Sequence, residues 1–254
     1  MIHILLSRWR QGHRTLPYPA QLPALPERFR GLPEFIPGAC AEGCRACAEA
    51  CPTQAITVDA QGPRLDLGRC LFCPDCTEAC PQGALRTTRE HKLAARSRAD
   101  LVLGPDAALK RAEALGAELK RLLGRSLKLR VVSAGGCNGC EVDVNVLGTL
   151  AWDIGRFGIQ FVASPRHADG MVLTGPVTRN MALAVRKTYD AIPDPKIVVA
   201  VGACAISGGP YLFQEEQLGG LEASGLPVDL FIPGCPPHPL TILDGLLRLL
   251  GRIE

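Results

Sequence analysis

The distribution of cysteines constrains this chain more than any other feature of its sequence. Twelve cysteines occur in 254 residues; eight lie between Cys40 and Cys80, and four lie between Cys137 and Cys235. A secreted disulfide scaffold would have a signal peptide and usually fewer than about 100 residues. The apolar run at the N-terminus is too short for a signal peptide. The sequence therefore predicts a reducing compartment, where cysteines are more often metal ligands or catalytic groups than disulfides.

An internal repeat contains most of the first eight cysteines. The segment from Cys44 to Ile56 (CRACAEACPTQAI) aligns with the segment from Cys73 to Leu85 (CPDCTEACPQGAL) at an offset of 29 residues, which is 73 minus 44. Repetition at a fixed period indicates repeated structural units. We therefore expect two similar half-domains related by pseudo-twofold symmetry.

Each half of the repeat has a cysteine run typical of bacterial ferredoxins with [4Fe–4S] clusters, in which the fourth cysteine ligates the other cluster. The second run is Cys70-x2-Cys73-x2-Cys76-x3-Cys80-Pro81, and the first has one extra residue before Cys44, which Gly43 could absorb. Two four-cysteine zinc sites are the alternative, but three-cysteine runs closed twice by Cys-Pro are not a zinc-ribbon pattern. The predicted ligand sets are Cys40, Cys44, Cys47 and Cys80 for one cluster, and Cys51, Cys70, Cys73 and Cys76 for the other.

Residues 127–254 alternate strand and helix signals. Short apolar, β-branched runs predict strands at 127–134, 159–164, 170–175, 196–202 and 228–234, with helices at 142–157, 179–191 and 240–250. Buried strands that alternate with helices indicate a parallel sheet covered on both faces. The predicted fold class is therefore α/β, with a doubly wound parallel sheet after a small α+β ferredoxin domain.

The remaining cysteines each follow closely on a predicted strand end. Cys137, Cys140, Cys204 and Cys235 should therefore meet at the carboxyl edge of the sheet, where such folds bind ligands. A thioredoxin-like dithiol is the competing interpretation of the Cys137-x-x-Cys140 pair, but it leaves Cys204 and Cys235 unexplained.

The sequences around these four cysteines carry a family resemblance. GGCNGCEVDV, SPRHADGMVLTGPVT, VGACAISGG and IPGCPPHPLTIL resemble the small-subunit family that includes the proximal-cluster subunit of nickel–iron hydrogenases and the related B-type component of respiratory complex I. The resemblance covers about residues 127–254. It implies a flavodoxin-like fold, a third [4Fe–4S] cluster at these four cysteines, and a large partner subunit that carries the active site.

Within that family, the cysteine pair separates two branches. In the complex I branch, the first two cluster ligands look like a pair of adjacent cysteines. Here they are Cys137-x-x-Cys140 followed by Glu141, which is similar to the hydrogenase branch. His238 likewise stands where the complex I pattern has arginine. Glu141 could move a proton, tune the cluster potential or favour a helix N-terminus. His238 could bond to a cluster sulfur or cap the last helix.

Residues 1–90 are similar to the two-cluster ferredoxin subunit of formate hydrogenlyase and its hydrogenase-4 relatives. The resemblance rests on Pro17-Tyr18-Pro19, Phe29-Arg30-Gly31, Pro33-Glu34 and LGRCLFCPDCTEACP. It implies two fused subunits with three [4Fe–4S] clusters, in an oxidoreductase complex whose nickel–iron site lies in another chain. A complex I-like quinone oxidoreductase subunit is the alternative.

The resemblance also implies partners and a location. The expected partners are the nickel–iron hydrogenase large subunit, other soluble electron-input subunits and, by peripheral contact, membrane-arm subunits. The expected location is cytoplasmic, on the inner face of the cell membrane. Aromatic residues make up only 5% of the chain, which argues against a nucleic-acid binder that uses base stacking.

The domain division follows from these patterns. Residues 1–38 are Pro-rich and predict an extended arm on a partner, with an apolar and arginine-rich start that could lie at a membrane surface or pack as a short helix. The ferredoxin domain is expected at 39–90, a basic helical linker at 91–126 with its helix at 106–123, and the second domain at 127–254. Arg166 and His167 either contact a partner or are solvated. No stretch reaches the length of an apolar transmembrane helix.

Overall fold

The computed structural model describes residues 2–104 and 108–253. A helix, α1 (Ile2–Gln11), begins the chain, and all of its described side chains are exposed. Within the part of the chain that the structure describes, none of the helices combines the length and the hydrophobicity needed to cross a bilayer.

The N-terminal half forms two small antiparallel sheets around the repeat. Strand β1 pairs with β4, and β2, β3 and β5 form the other sheet. The two repeat helices start 29 residues apart, and residues 43 and 72, also 29 apart, both have a left-handed backbone. The two halves of the repeat therefore share the same local backbone conformations. The elements are β1 (Pro33–Phe35), α2 (Ala46–Glu49), β2 (Ile56–Asp59), β3 (Gly62–Asp66), α3 (Asp75–Glu78), β4 (Leu85–Thr87) and β5 (Val102–Leu103).

The C-terminal half is a five-stranded parallel sheet. Its order is β10-β9-β8-β6-β7, which is 2-1-3-4-5 when its strands are counted along the chain. This is the flavodoxin-like order, so the predicted fold is confirmed. The strands are β6 (Leu127–Ser133), β7 (Ile159–Phe161), β8 (Gly170–Thr174), β9 (Ile197–Val201) and β10 (Leu230–Ile232). The helices are α4 (Ala117–Leu123), α5 (Gly139–Val146), α6 (Arg179–Ala191), α7 (Ala203–Ser207) and α8 (Pro239–Leu249).

Two inner strands of this sheet and the last helix of the chain are fully buried. Every residue of β8 and β9 is buried, and every residue of α8 is buried as well. Burial on both faces explains the uninterrupted apolar runs in the sequence. The predicted helix at 142–157 is shorter than expected: α5 ends at Val146, and a separate 3-10 turn covers Ile154–Phe157.

The two halves pack against each other through α7. The Ser207 hydroxyl donates to the carbonyl of Gly68 at 2.9 Å, across the boundary between the halves. A Cβ at residue 68 would lie 2.7 Å from a methyl of Ile206, so the close approach requires glycine there. Ala95 also forms an antiparallel bridge with Phe231 of β10.

The predicted helix at 106–123 is largely wrong. Its residues 106 and 107 lie outside the described residues, residues 108–116 are not helical, and only α4 forms. The amide of Ala112 instead donates to the carbonyl of Ala94, and that of Leu115 to the carbonyl of Leu249. Tertiary partners for the backbone have replaced helical ones, although the apolar periodicity of the segment is real.

The arm also differs from its prediction, because it lies on this chain itself. The amide of Leu16 donates to the carbonyl of Ala151, and the guanidinium of Arg156 donates to the carbonyls of Leu16 and Tyr18. Farther along, β1 pairs with β4 of the repeat. The arm therefore runs over both halves of the molecule.

Candidate metal centres

The repeat builds two equivalent cysteine loops. The amide of Ala55 donates to Cys51 Sγ at 3.2 Å, and the amide of Ala84, 29 residues on, donates to Cys80 Sγ at 3.1 Å. Hydrogen bonds to sulfur favour the more negative state of a ligated cluster. The last cysteine of each run thus accepts a hydrogen bond from the backbone amide four residues farther along the chain.

Each of two cavities in the repeat is lined by four cysteines, three from one run and the closing cysteine of the other. We name them the first set (Cys40, Cys44, Cys47 and Cys80) and the second set (Cys51, Cys70, Cys73 and Cys76). The structure thus brings Cys51 and Cys80 to the opposite run, as the crossed pattern predicts.

The C-terminal cysteines gather at the carboxyl edge of the parallel sheet. We name them the third set: Cys137, Cys140, Cys204 and Cys235. Cys137 and Cys140 follow β6, Cys204 lies in α7 after β9, and Cys235 follows β10. The pKa of Cys140 is raised by burial and then by the thiols of Cys204 and Cys235, with a smaller contribution from Cys137. Four thiols distant in sequence therefore share one electrostatic environment.

Glycines make room for the third set. A Cβ at residue 202 would lie 2.5 Å from Cys140 Sγ, and a Cβ at residue 209 would lie 2.9 Å from Cys204 Sγ. Both positions also have φ in the left-handed region, at +90° and +53°. Glycine is required there both for its backbone and for the space that the sulfur atoms occupy.

The second set lies near each of the other two. The pKa of Cys76 is raised to about 11 by burial, by Cys73 and Cys51 of its own set, and by Cys47 of the first set. The pKa of Cys235 is raised by partial burial of its thiol, by Cys137, and by Cys73 of the second set. The second set therefore borders both of the others.

Burial favours the protonated form of buried thiols such as Cys70 and Cys204. It raises the pKa of Cys70 to about 12, with neighbouring thiols adding to the effect, and the pKa of Cys204 to about 12 in the same way. Thiolates are the form that ligates iron, so bound cations must provide the charge that stabilises them. Sites lined by four sulfur atoms fit an iron–sulfur cluster.

Within residues 2–104 and 108–253, no group of three or more His, Cys, Asp or Glu side chains is placed around a single metal ion. In the repeat, each set surrounds a cavity instead.

The third set reaches the molecular surface. Cys137 and Cys235 are exposed, and Val142 on α5 is 52% exposed. Tyr211 also lies beside this set, in the same 3-10 turn as Gly209, and its pKa is raised by partial burial and by Cys137, Cys204 and Cys235. Sequence reasoning missed Tyr211, since nothing in its local sequence distinguishes it.

The two polar residues singled out near the third set have structural partners. Glu141 is buried in the first turn of α5 and accepts a hydrogen bond from the Ser133 hydroxyl. His238 caps α8: its Nδ1 accepts from the amide of Leu240 at 3.1 Å. Of the two predicted roles of His238, the structure therefore supports the helix cap. Arg166 and His167 lie in a 3-10 turn, where His167 is exposed.

Comparisons with known proteins assign a family description to each half. Residues 39–84 match the family of 4Fe-4S dicluster domains, and residues 137–249 match the family of the NADH ubiquinone oxidoreductase 20 kDa subunit.

Three similar proteins are described as subunits of a membrane-bound hydrogenase, of formate hydrogenlyase and of NADH-quinone oxidoreductase. A probable membrane-bound hydrogenase subunit of Pyrococcus furiosus is 41% identical over 144 residues, which is 57% of this chain and 86% of that protein. Formate hydrogenlyase subunit 7 of Escherichia coli is 42% identical over 54% of each chain. An NADH-quinone oxidoreductase subunit of Clostridium beijerinckii is 45% identical over 45% of this chain and 68% of that protein.

Proposed function

This chain belongs to the family of the NADH ubiquinone oxidoreductase 20 kDa subunit, and from that membership we propose that it is the electron-transfer subunit of a membrane-bound nickel–iron hydrogenase complex. The observation that carries the proposal is the presence of three neighbouring sets of four cysteines, two in the dicluster domain and a third with two exposed cysteines. We further propose that each set holds one [4Fe–4S] cluster. A cluster of this kind supplies a site that takes up and releases one electron.

The residues of the chain have distinct parts in this proposal. The twelve cysteines ligate, the amides of Ala55 and Ala84 hold two of the sulfur atoms, and Gly202 and Gly209 admit two more. We retain the division into an arm at 1–38, a ferredoxin domain at 39–90, a linker at 91–126 and a second domain at 127–254. None of the proposed parts requires a catalytic residue in this chain.

The large subunit is proposed to dock over the third set. Support comes from the exposure of Cys137 and Cys235, from the exposed side chain of Val142 on the helix that carries Cys140, and from the exposed ring of Tyr211. A patch with apolar groups around a set of exposed ligands is suited to a partner that excludes water from the site.

The choice of hydrogenase over quinone reductase rests on the Cys137-x-x-Cys140 pair and Glu141, since relatives of both kinds are similarly identical to this chain. The test is to purify the complex with its large subunit and to add H₂ without other donors. We expect H₂ to reduce the clusters of this chain. Reduction by a quinol but not by H₂ would contradict the proposal in favour of the alternative.

Peripheral membrane association is proposed to involve α1. Ile2, Leu5, Leu6 and Trp9 form an i, i+3, i+4, i+7 stripe and are all exposed, Trp9 by 82%. Arg8 and Arg10 occupy the last turn. An amphipathic helix with this composition suits an interface between anionic headgroups and acyl chains.

A further inference from the structure

We propose that Arg30 is a positioning residue for electron transfer between the second and third sets, and that its fixed charge raises the potential of the cluster in the second set. The inference rests on the proposed electron-transfer function and adds a residue outside the cysteine loops. The observation behind it is a clip formed by two consecutive arm residues, Phe29 and Arg30, which contact one loop of each set.

Arg30 forms the first half of the clip. Its Nε donates to the carbonyl oxygen of Phe72 at 2.7 Å, although the two residues are 42 positions apart in sequence. Phe72 lies between Cys70 and Cys73, and its own amide donates to Cys70 Sγ at 3.3 Å. The peptide groups on both sides of Phe72 are thus fixed, one by a cation and one by a ligand sulfur.

The conformation of Phe72 shows why its loop needs to be held. Its φ is +55°, a left-handed backbone that bulky side chains rarely adopt. The equivalent residue of the first run, 29 positions earlier, is Gly43 at φ +73°, which adopts this backbone without strain. A strained non-glycine residue persists where the surrounding structure fixes it, and such residues concentrate at functional sites.

Phe29 forms the second half of the clip. Its ring packs edge-on against the ring of His238, with 5.4 Å between centroids, and His238 packs in the same way against Trp152 at 5.9 Å. His238 is three residues from Cys235 and caps α8. The arm therefore holds the Cys235 loop immediately before it holds the Cys70–Cys73 loop.

A single crevice joins the two halves of the clip. It is lined by Phe29, Arg30, Phe72, Cys235 and His238, so it borders the loop of the second set and a ligand of the third. With clusters bound at both sites, one electron would pass from the second site to the third, and no proton or bond would need to change. The separation of the two sites controls the rate of this step, and the clip fixes that separation.

The charge of Arg30 acts on the equilibrium of the same step. Guanidinium remains protonated at any working pH, so it favours whichever cluster state is more negative. Reduction adds one negative charge to a cluster. Arg30 is bonded to the loop of the second set, so removing its charge should lower the potential of that cluster more than the potential of the third.

The test compares Arg30→Gln, Arg30→Lys and Arg28→Gln in the full chain, with redox titrations of each cluster followed by electron paramagnetic resonance. Arg28 lines the same crevice without the bond to Phe72, so it is the charge-matched control. We expect Arg30→Gln to shift electron sharing between the second and third clusters about tenfold toward the third, or about 59 mV for one electron. Arg28→Gln should have little effect, and Arg30→Lys should keep a potential close to that of the wild type, because it keeps the positive charge.

Each result has a defined meaning. Equal potentials in Arg30→Gln and the wild type, or equal shifts in Arg30→Gln and Arg28→Gln, would overturn the proposal. If Arg30→Gln fails to hold iron, the test rests on Arg30→Lys. A wild-type potential of the second cluster with slower electron transfer in that variant supports the proposal. A lowered potential of that cluster refutes the role of the charge. A wild-type chain without iron and sulfide would instead refute the proposed function, so the two failures are distinguishable.

Discussion

At Gly202, the space beyond the Cα atom is already filled by the sulfur of Cys140. A methyl group there would come within 2.5 Å of that sulfur, on a backbone with φ of +90°. We expect Gly202→Ala to remove the iron of the third set, about a third of the total, while the ferredoxin signals remain. Iron analysis and electron paramagnetic resonance test this. Gly116→Ala is the control, because no atom lies within 4 Å of the added methyl group; equal iron in both variants would contradict the expectation.

His91 gives the chain a defined response to acid. The residue is 2% exposed, and its Nε2 has no hydrogen-bond partner among the described residues. Burial lowers its pKa from 6.5, partly opposed by Asp244 and Glu90. The unfolded chain therefore binds more protons below pH 6.5 than the folded chain does. The contribution of neutral, buried His91 to the free energy of unfolding is therefore fully present above pH 6.5. It is lost as the pH falls through the lower pKa that His91 has in the folded state.

We expect His91→Phe to flatten the decrease in unfolding free energy between pH 6.5 and more acidic values, since the variant has no group to titrate at that position. Denaturant unfolding at a series of pH values measures the slope. His167→Phe makes the same change at an exposed histidine and should keep the wild-type slope. The same flattening in both variants would show that burial of His91 is not the cause.

Individual site residues were largely predictable from sequence, because ligand spacing is a local property. The crossed sets followed from the two runs, and the third set followed from cysteines at strand ends. The clip was not predictable: Phe29 and Arg30 appeared only as part of a resemblance, and their partners Phe72 and His238 lie 42 and 209 positions away. Contacts of that separation depend on how the two halves pack.

The arm and α8 are joined by one buried polar network. The Tyr18 hydroxyl donates to Asp244 Oδ1 at 2.7 Å, and Arg248 Nε donates to Asp244 Oδ2 at 2.8 Å. Asp244 is fully buried and Arg248 is 5% exposed. Burial, followed by the charge of Asp244 and their hydrogen bond, raises the pKa of Tyr18 well above its usual range. The network anchors the arm to the last helix of the second half.

Tyr18→Phe should lower the free energy of unfolding by about 1–3 kcal/mol, because it leaves a buried carboxylate short of one donor. Denaturant unfolding of the loaded chain gives the value. The control is Tyr189→Phe, whose ring lies 4.4 Å from Lys196 Nζ and keeps that contact in the variant; a change within about 0.5 kcal/mol is expected there. Equal losses in both variants would mean that the bond to Asp244 is not the source.

Helices and strands could be predicted where the pattern of buried side chains is regular along the segment. They could not be predicted where the backbone forms hydrogen bonds with distant residues instead of neighbouring ones. Strands β8 and β9 are uniformly buried, so their apolar runs marked them in the sequence. The segment before α4 also has helical periodicity, yet its amides bond to Ala94 and Leu249. In the arm, prolines exclude a helix without indicating what the extended chain contacts, so its position on this chain could not be predicted.

Helix α1 lies at the surface of the molecule, and none of its described side chains belongs to the core. Leu5 and Ile4 are exposed by 69% and 71%, but only Leu5 belongs to the apolar stripe. We expect Leu5→Glu to weaken binding of the loaded chain to vesicles rich in anionic phospholipid by tenfold or more, since a buried leucine contributes about 2 kcal/mol. Ile4→Glu adds the same charge off the stripe and should bind more nearly like the wild type. Cosedimentation measures both, and equal losses would contradict insertion of the stripe.

The three cysteine sets and their order are the central feature of the molecule. The most direct test is analysis of iron and acid-labile sulfide in the anaerobically purified full chain, with electron paramagnetic resonance of the reduced protein. We predict about twelve irons and twelve sulfides per chain, four of each in each of three sets, and signals from three interacting clusters. Bound zinc without sulfide, or about eight irons with the third set empty, would contradict it.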